Sequence, residues 1–181
     1  ARPEDLTVMA RNTEIKARVA DLDALARRVA PLATAGPVDI AQDDTFFACP
    51  NGRLKLRDFG DGRGELIFYQ RPDQIGPKTS FYRITATAEP DRLREVLTLA
   101  HGQTGRVVKR RTLWLVGRTR VHLDRVDGLG TFMELEVVLG DDESAEAGER
   151  EAQALMAALG IPADALIDSA YADLLRARPP R

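Results

Sequence analysis

At 181 residues with 44% hydrophobic content, the chain fits one domain with a sizeable core and is too apolar for disorder. Charged residues make up 30% of it, yet 26 basic against 28 acidic side chains leave a net charge of -2, which argues against a general nucleic-acid binder. A single cysteine, Cys49, excludes an internal disulfide and a cysteine-based metal cluster, and no apolar run approaches the roughly 20 residues of a bilayer span.

A cytoplasmic location without membrane attachment is the resulting expectation. Met9 stands just before the first regular pattern and fits a natural start, so residues 1 to 10 are expected to form a flexible extension. Residues 11 to 177 then read as a single domain, and Pro179-Pro180-Arg181 places a frayed end at 178 to 181.

The stretch Thr13-Glu14-Ile15-Lys16-Ala17-Arg18-Val19 alternates apolar and charged residues, the signature of a strand. Asp21 then caps a helix whose Leu22, Leu25, Ala26 and Val29 recur at helical spacing and which ends before Pro31. After a loop at 33 to 37 come extended segments at about 38 to 49, 53 to 59, 65 to 71 and 80 to 88, the middle pair joined by a turn, Gly60-Asp61-Gly62-Arg63-Gly64. Residues 90 to 100 form a second helix with a Leu93, Val96, Leu97 stripe. Three more strands follow at about 105 to 116, 119 to 126 and 131 to 139, then a long helix at 141 to 159 and shorter helical turns at 163 to 177. About eight strands without strand-helix alternation predict an α+β fold, an antiparallel sheet curled into a barrel with helices outside.

Charge is unevenly placed along these elements. Residues 53 to 120 hold 15 Lys and Arg against 7 Asp and Glu, whereas residues 121 to 181 hold 5 against 13. One face of each strand collects it: Asn12, Glu14, Lys16, Arg18; Arg53, Lys55, Arg57; Glu65, Tyr69, Arg71; Arg83; Lys109, Arg111; Arg120, His122, Asp124; Glu134, Glu136. The opposite faces are apolar, so the core is expected outside this surface, under the helices. Alternation alone is also what a one-sided sheet with salt-bridged strands shows. Residue type separates the two: Arg53-x-Lys55-x-Arg57 and Lys109-x-Arg111 set like charges side by side, which calls for an anion between them. Glu134-x-Glu136 places two carboxylates about 7 Å apart on one face, and Glu14 could join them around one or two hard cations, Mg2+ or Mn2+. His122, inward beside Asp124, reads either as a proton relay or as structural, and Trp114 reads as core.

Asn12-Thr13-Glu14-Ile15-Lys16 resembles the Glu-x-Glu-x-Lys signature of the CYTH superfamily, the triphosphate tunnel metalloenzymes, with Asn12 in place of the first glutamate. Lys109-Arg110-Arg111 through Val116-Gly117-Arg118, Leu123-Asp124 and Gly128-Leu129-Gly130-x-Phe132-x-Glu134 look like the class IV adenylyl cyclases, and Tyr171-Ala172-Asp173-Leu174-Leu175 is similar to their closing segment. The resemblance spans residues 11 to 175 and implies an eight-stranded antiparallel tunnel. It implies that Glu14 and Glu134 hold metal with Glu136 and Asp124 as helpers, and that Lys16, Arg57, Arg71, Lys109 and Arg111 hold phosphates. Arg18, Arg53, Lys55, Arg83 and Arg120 fit the same inward register. The implied activity is conversion of ATP to cyclic AMP and pyrophosphate, with Glu14, Lys16, Asp124 and Glu134 as the catalytic set. The same tunnel would serve a triphosphatase acting on tripolyphosphate, thiamine triphosphate or a nucleotide, or a non-catalytic binder of such anions. A homodimer also follows from the resemblance.

Overall fold

The alternation at the amino end becomes strand β1 (Arg11–Arg18), which buries Thr13, Ile15 and Ala17 on one face and turns Asn12, Glu14 and Lys16 into a cavity on the other. This computed structural model describes residues 11–70, 78–140 and 142–177. The expected extension at 1–10, Arg71 and the frayed end at 178–181 lie outside the described residues.

Seven further strands follow: β2 (Ala35–Phe47), β3 (Arg53–Asp58), β4 (Gly64–Gln70), β5 (Lys78–Thr87), β6 (Gln103–Val116), β7 (Thr119–Val126) and β8 (Gly130–Leu139). They close into a ring in the order β1-β5-β4-β3-β2-β6-β7-β8, antiparallel throughout. Closure leaves no open edge, so each inward face meets the others across one interior. Short turns join β2 to β3, β3 to β4, β6 to β7 and β7 to β8, whereas a helix lies between β1 and β2 and another between β5 and β6.

Among the described residues the α-helices are α1 (Leu22–Val29), α2 (Pro90–His101), α3 (Ala145–Ala158) and α4 (Tyr171–Arg176). Asp21 caps α1, its Oδ1 accepting from the Ala24 amide at 2.8 Å, as the sequence led one to expect. Two boundaries differ from expectation. Strand β2 starts at Ala35, inside the segment expected as loop, because a register shift between Ala35 and Val38 lets the chain keep pairing with β6 past Gly36 and Pro37. Helix α3 starts at Ala145 and not at 141, because Ser144 Oγ accepts from the Ala147 amide at 3.3 Å and so fixes the N-terminus there.

The main core lies outside the ring, between the outer faces of β1, β7 and β8 and helices α1 and α3. Ile15, Leu25, Val121, Leu135, Val137 and Leu159 are fully buried there or nearly so, each contributing about 1.5–3 kcal/mol by leaving water. Helix α3 approaches β1 and β8 closely at Gly148, where a Cβ would stand 2.5 Å from Thr13 Oγ1 and 2.7 Å from Leu139 Cδ2. Trp114 packs against this core, as expected, and not toward the ring interior. Among the described residues no helix is long and apolar enough to cross a membrane.

Candidate active site

Pairing register assembles the interior. Across β1 and β8, Glu14 stands opposite Glu136 and Lys16 opposite Glu134; across β7 and β8, His122 stands opposite Glu134 and Arg120 opposite Glu136. All six side chains line one cavity of about 490 Å³, together with Asp44, Lys55, Arg57, Lys109 and Arg111 from β2, β3 and β6. Residues scattered over more than a hundred positions thus converge because every strand turns its polar parity inward.

On the β1, β7 and β8 side, carboxylates dominate. Glu134 is 3.1 Å from Lys16 Nζ and 2.5 Å from Arg111 Nη2, and although burial opposes its ionisation, Lys16 and Arg111 hold its carboxyl well below the usual range. Glu136 is held less tightly, 3.6 Å from both Arg120 Nη1 and His122 Nδ1. His122 is buried, and that burial, reinforced by Arg111, lowers its pKa and favours the neutral imidazole. Lys16 Nζ also lies 4.0 Å above the Tyr171 ring and donates to the Ser169 carbonyl at 3.4 Å, so the start of α4 closes this end of the cavity.

On the β2, β3 and β6 side, cations dominate and a single carboxylate organises two of them. Asp44 accepts from Lys55 Nζ at 2.7 Å and from Arg57 Nε and Nη2 at 2.8 and 2.9 Å. Burial would raise the Asp44 carboxyl, but Arg57 and Lys55 hold it far below the ordinary carboxylate range. Burial and the Arg57 charge press Lys55 down to about 8. Lys109 is likewise lowered, by burial and then by Arg111.

Several residues expected in the site are placed elsewhere. Asp124, read as a metal helper, is fully buried on the inward side of β7 and has no place in the cavity lining. Its oxygens accept from Arg111 Nε and Nη2 at 2.7 and 2.6 Å and from Tyr171 Oη at 2.9 Å, with Lys109 Nζ at 3.5 Å. With both oxygens engaged, it orients Arg111; burial opposes its charge, but Arg111 and Lys109 keep it at about 2. Arg18, the last residue of β1 and paired with Phe132 of β8, is exposed, 5.0 Å from the Phe132 ring centroid and outside the cavity lining. Arg53 lies 3.0 Å from Asp173 on α4, away from the cavity lining. Arg83 points outward over Phe81, because Tyr82 and Ile84 are the β5 residues that face in. Arg71 lies outside the described residues. Lys16, Lys55, Arg57, Lys109, Arg111 and Arg120 all line the cavity with Glu14, Glu134 and Glu136.

A CYTH domain matches residues 10–171. The chain belongs to the CYTH family. Adenylate cyclase CyaB from Aeromonas hydrophila is 26% identical over 169 residues, covering 89% of this chain and 86% of that relative. A Pyrococcus horikoshii protein superposes with a TM-score of 0.80 at 21% identity, over 90% of this chain and 98% of its own. A candidate adenylyl cyclase from Hippeastrum with a dominant triphosphatase activity superposes with a TM-score of 0.59 at 17% identity, over 91% of this chain and 93% of its own. The resemblance read from the sequence therefore holds over nearly its whole stated span, and the ring of eight antiparallel strands is the CYTH tunnel fold.

Within this CYTH domain, the donor set fits a divalent cation. Glu14 and Glu136 oppose each other directly, an arrangement of like charges that costs stability unless positive charge lies between them. His122, Glu134 and Glu136 bring one ligand atom each to within 4.8 Å of one another, and His122 Nδ1 and Asn12 Oδ1 are buried without a hydrogen-bond partner. Sequence reasoning missed Asp44 and the neighbouring inward Gln42. Their signal was present as Gln42-x-Asp44-x-Phe46, but the adjacent Asp43 hides the alternation.

Proposed function

We propose that this CYTH protein is a divalent-metal-dependent enzyme acting on the triphosphate of ATP, forming cyclic AMP and pyrophosphate. The observation that carries this reading is the apposition, inside one cavity, of the Glu14, Glu134 and Glu136 carboxylates with the Lys55, Arg57, Lys109 and Arg111 cations. Glu14, Glu134 and Glu136 would hold Mg2+ or Mn2+, whose chemistry there is neutralisation of phosphate-oxygen charge.

The chain's own side chains supply the rest. Arg111, fixed by Asp124 through two hydrogen bonds, presents a preoriented guanidinium to a phosphate at no further ordering cost. Lys109 beside it and Lys55 with Arg57 two strands along the same wall can offset charge on the departing pyrophosphate. In the cyclase reaction the ribose 3'-oxygen attacks the α-phosphorus as the bond from that phosphorus to the α,β-bridging oxygen breaks. The hydroxyl proton passes to water or to an inward carboxylate outside the metal-holding set as the new bond forms.

Hydrolysis of a triphosphate at its terminal phosphorus is the second reading, favoured by the similarity of fold to the Hippeastrum protein with its dominant triphosphatase activity. Phosphorus NMR of the protein with ATP or tripolyphosphate, with Mg2+ or Mn2+ and with EDTA controls, separates the two. Cyclic AMP with pyrophosphate is the expected result. Metal-dependent orthophosphate would replace it with the triphosphatase reading, and no turnover of either compound would leave a binder of polyphosphate or nucleotide.

A further inference from the structure

We propose that His122 supplies a nitrogen ligand to the cation held on β8, giving the site a mixed imidazole and carboxylate donor set that favours Mn2+ over Mg2+. The inference rests on the metal-dependent reading above and adds to it a ligand and a metal preference.

Three observations carry it. His122 Nδ1 lies 3.6 Å from Glu136 Oε1 and 3.8 Å from Glu134 Oε2, too far for hydrogen bonds. These separations suit ligands of a shared ion: two atoms each about 2.1 Å from a cation stand roughly 3 Å apart when adjacent and at most about 4.2 Å apart when opposite. The three ligand atoms all lie within 4.8 Å of one another, close to the span that the ligands of one ion require.

The second observation is that His122 is 4% exposed and its Nδ1 has no hydrogen-bond partner, a state that destabilises the fold when nothing compensates it. The third is the composition of the surrounding wall. Asn12, the residue standing where the resemblance expects a first glutamate, lines the same cavity with an amide and adds no negative charge. A site with one carboxylate fewer and an imidazole within reach is poorer for Mg2+, which prefers an all-oxygen shell, than for a first-row transition ion that accepts nitrogen.

The test is pulsed electron paramagnetic resonance of the full chain loaded with Mn2+, together with competition titrations of Mn2+ against Mg2+. The chain contains two histidines, and His101 is exposed at the end of α2 outside the ring, so a directly coordinated imidazole signal has one intramolecular source. The expected result is nitrogen coupling in the parent protein that disappears in His122→Gln, with the Mn2+ to Mg2+ affinity ratio falling about tenfold in the variant. Mn2+ binding that requires Glu134 but shows no nitrogen coupling would overturn the ligand assignment alone. No Mn2+ binding at all would overturn the metal-dependent reading together with it. Should His122→Gln fail to fold, the parent spectrum still decides.

Discussion

The wall made by β1, β7 and β8 carries the carboxylates and His122 on strands whose outer faces are sealed by α1 and α3, whereas the wall made by β2 to β6 carries most of the cations under much thinner cover. Val121, Met133, Leu135 and Val137 behind the first wall are fully buried; on the second, the outward-facing Val108 is 38% exposed. On the proposed function, the difference matches what each wall would hold. Metal ligands must keep fixed separations of a few ångström, which a dense core enforces. Phosphate ligands are long Lys and Arg side chains that tolerate some movement, and in the proposed reaction Lys55 and Arg57 would need only exchange Asp44 for an incoming anion.

Breaking the acidic wall at its centre should have the largest effect. Glu134→Gln should lower metal-dependent turnover by roughly a hundredfold or more, the scale of losing several kcal/mol of charge stabilisation, while leaving measurable tripolyphosphate binding. Unchanged turnover would show that the two walls do not divide the work in this way. Next comes packing. Leu135→Ala, directly behind Glu134, should cost about 2–5 kcal/mol in denaturant unfolding, and Val108→Ala on the thinly covered wall under ~1 kcal/mol. Equal costs would remove the distinction between a rigid and an adaptable wall.

Smaller effects sharpen the cationic side. Arg57→Ala should weaken tripolyphosphate binding about tenfold by calorimetry, on the scale of one hydrogen bond to a charged group, whereas Asp44→Asn should strengthen it by removing the competing carboxylate. The smallest is a pH effect. With Lys55 at about 8, polyphosphate affinity should hold below that pH and fall severalfold above it as the ammonium is lost; Lys55→Arg should abolish the inflection. The corresponding stability term has the opposite sign. The unfolded lysine keeps its proton to about 10.5, so the penalty for burying its charge is present below about 8 and is relieved as pH rises toward 10.5.

Much of the site was legible because strand parity is a strict two-residue code: Glu14, Lys16, Lys55, Arg57, Lys109, Arg111, Arg120, Glu134 and Glu136 were read inward and all line the cavity. Parity misled where it was interrupted and at strand ends, where side chains of the inward parity lie beyond the cavity. Arg83 was assigned to the wrong face because the segment around it has no clean alternation, and Arg18 and Arg53 keep no place in the lining. Asp44 was hidden by Asp43. Asp124 illustrates a different limit, since its parity is correct but Arg111 and Tyr171 occupy it first.

By itself the sequence determined which residues alternate, and therefore the strands, the charged and apolar faces and the order of the family's motifs, because those are local properties of the backbone period. Only the tertiary structure decided which charges meet: the opposition of Glu14 to Glu136, the capture of Asp124 by Arg111, the clamp of Asp44 on Lys55 and Arg57, and the position of His122 between two carboxylates. Those pairings depend on inter-strand register and on how the ring closes, which long-range hydrogen bonding and the outer core fix together.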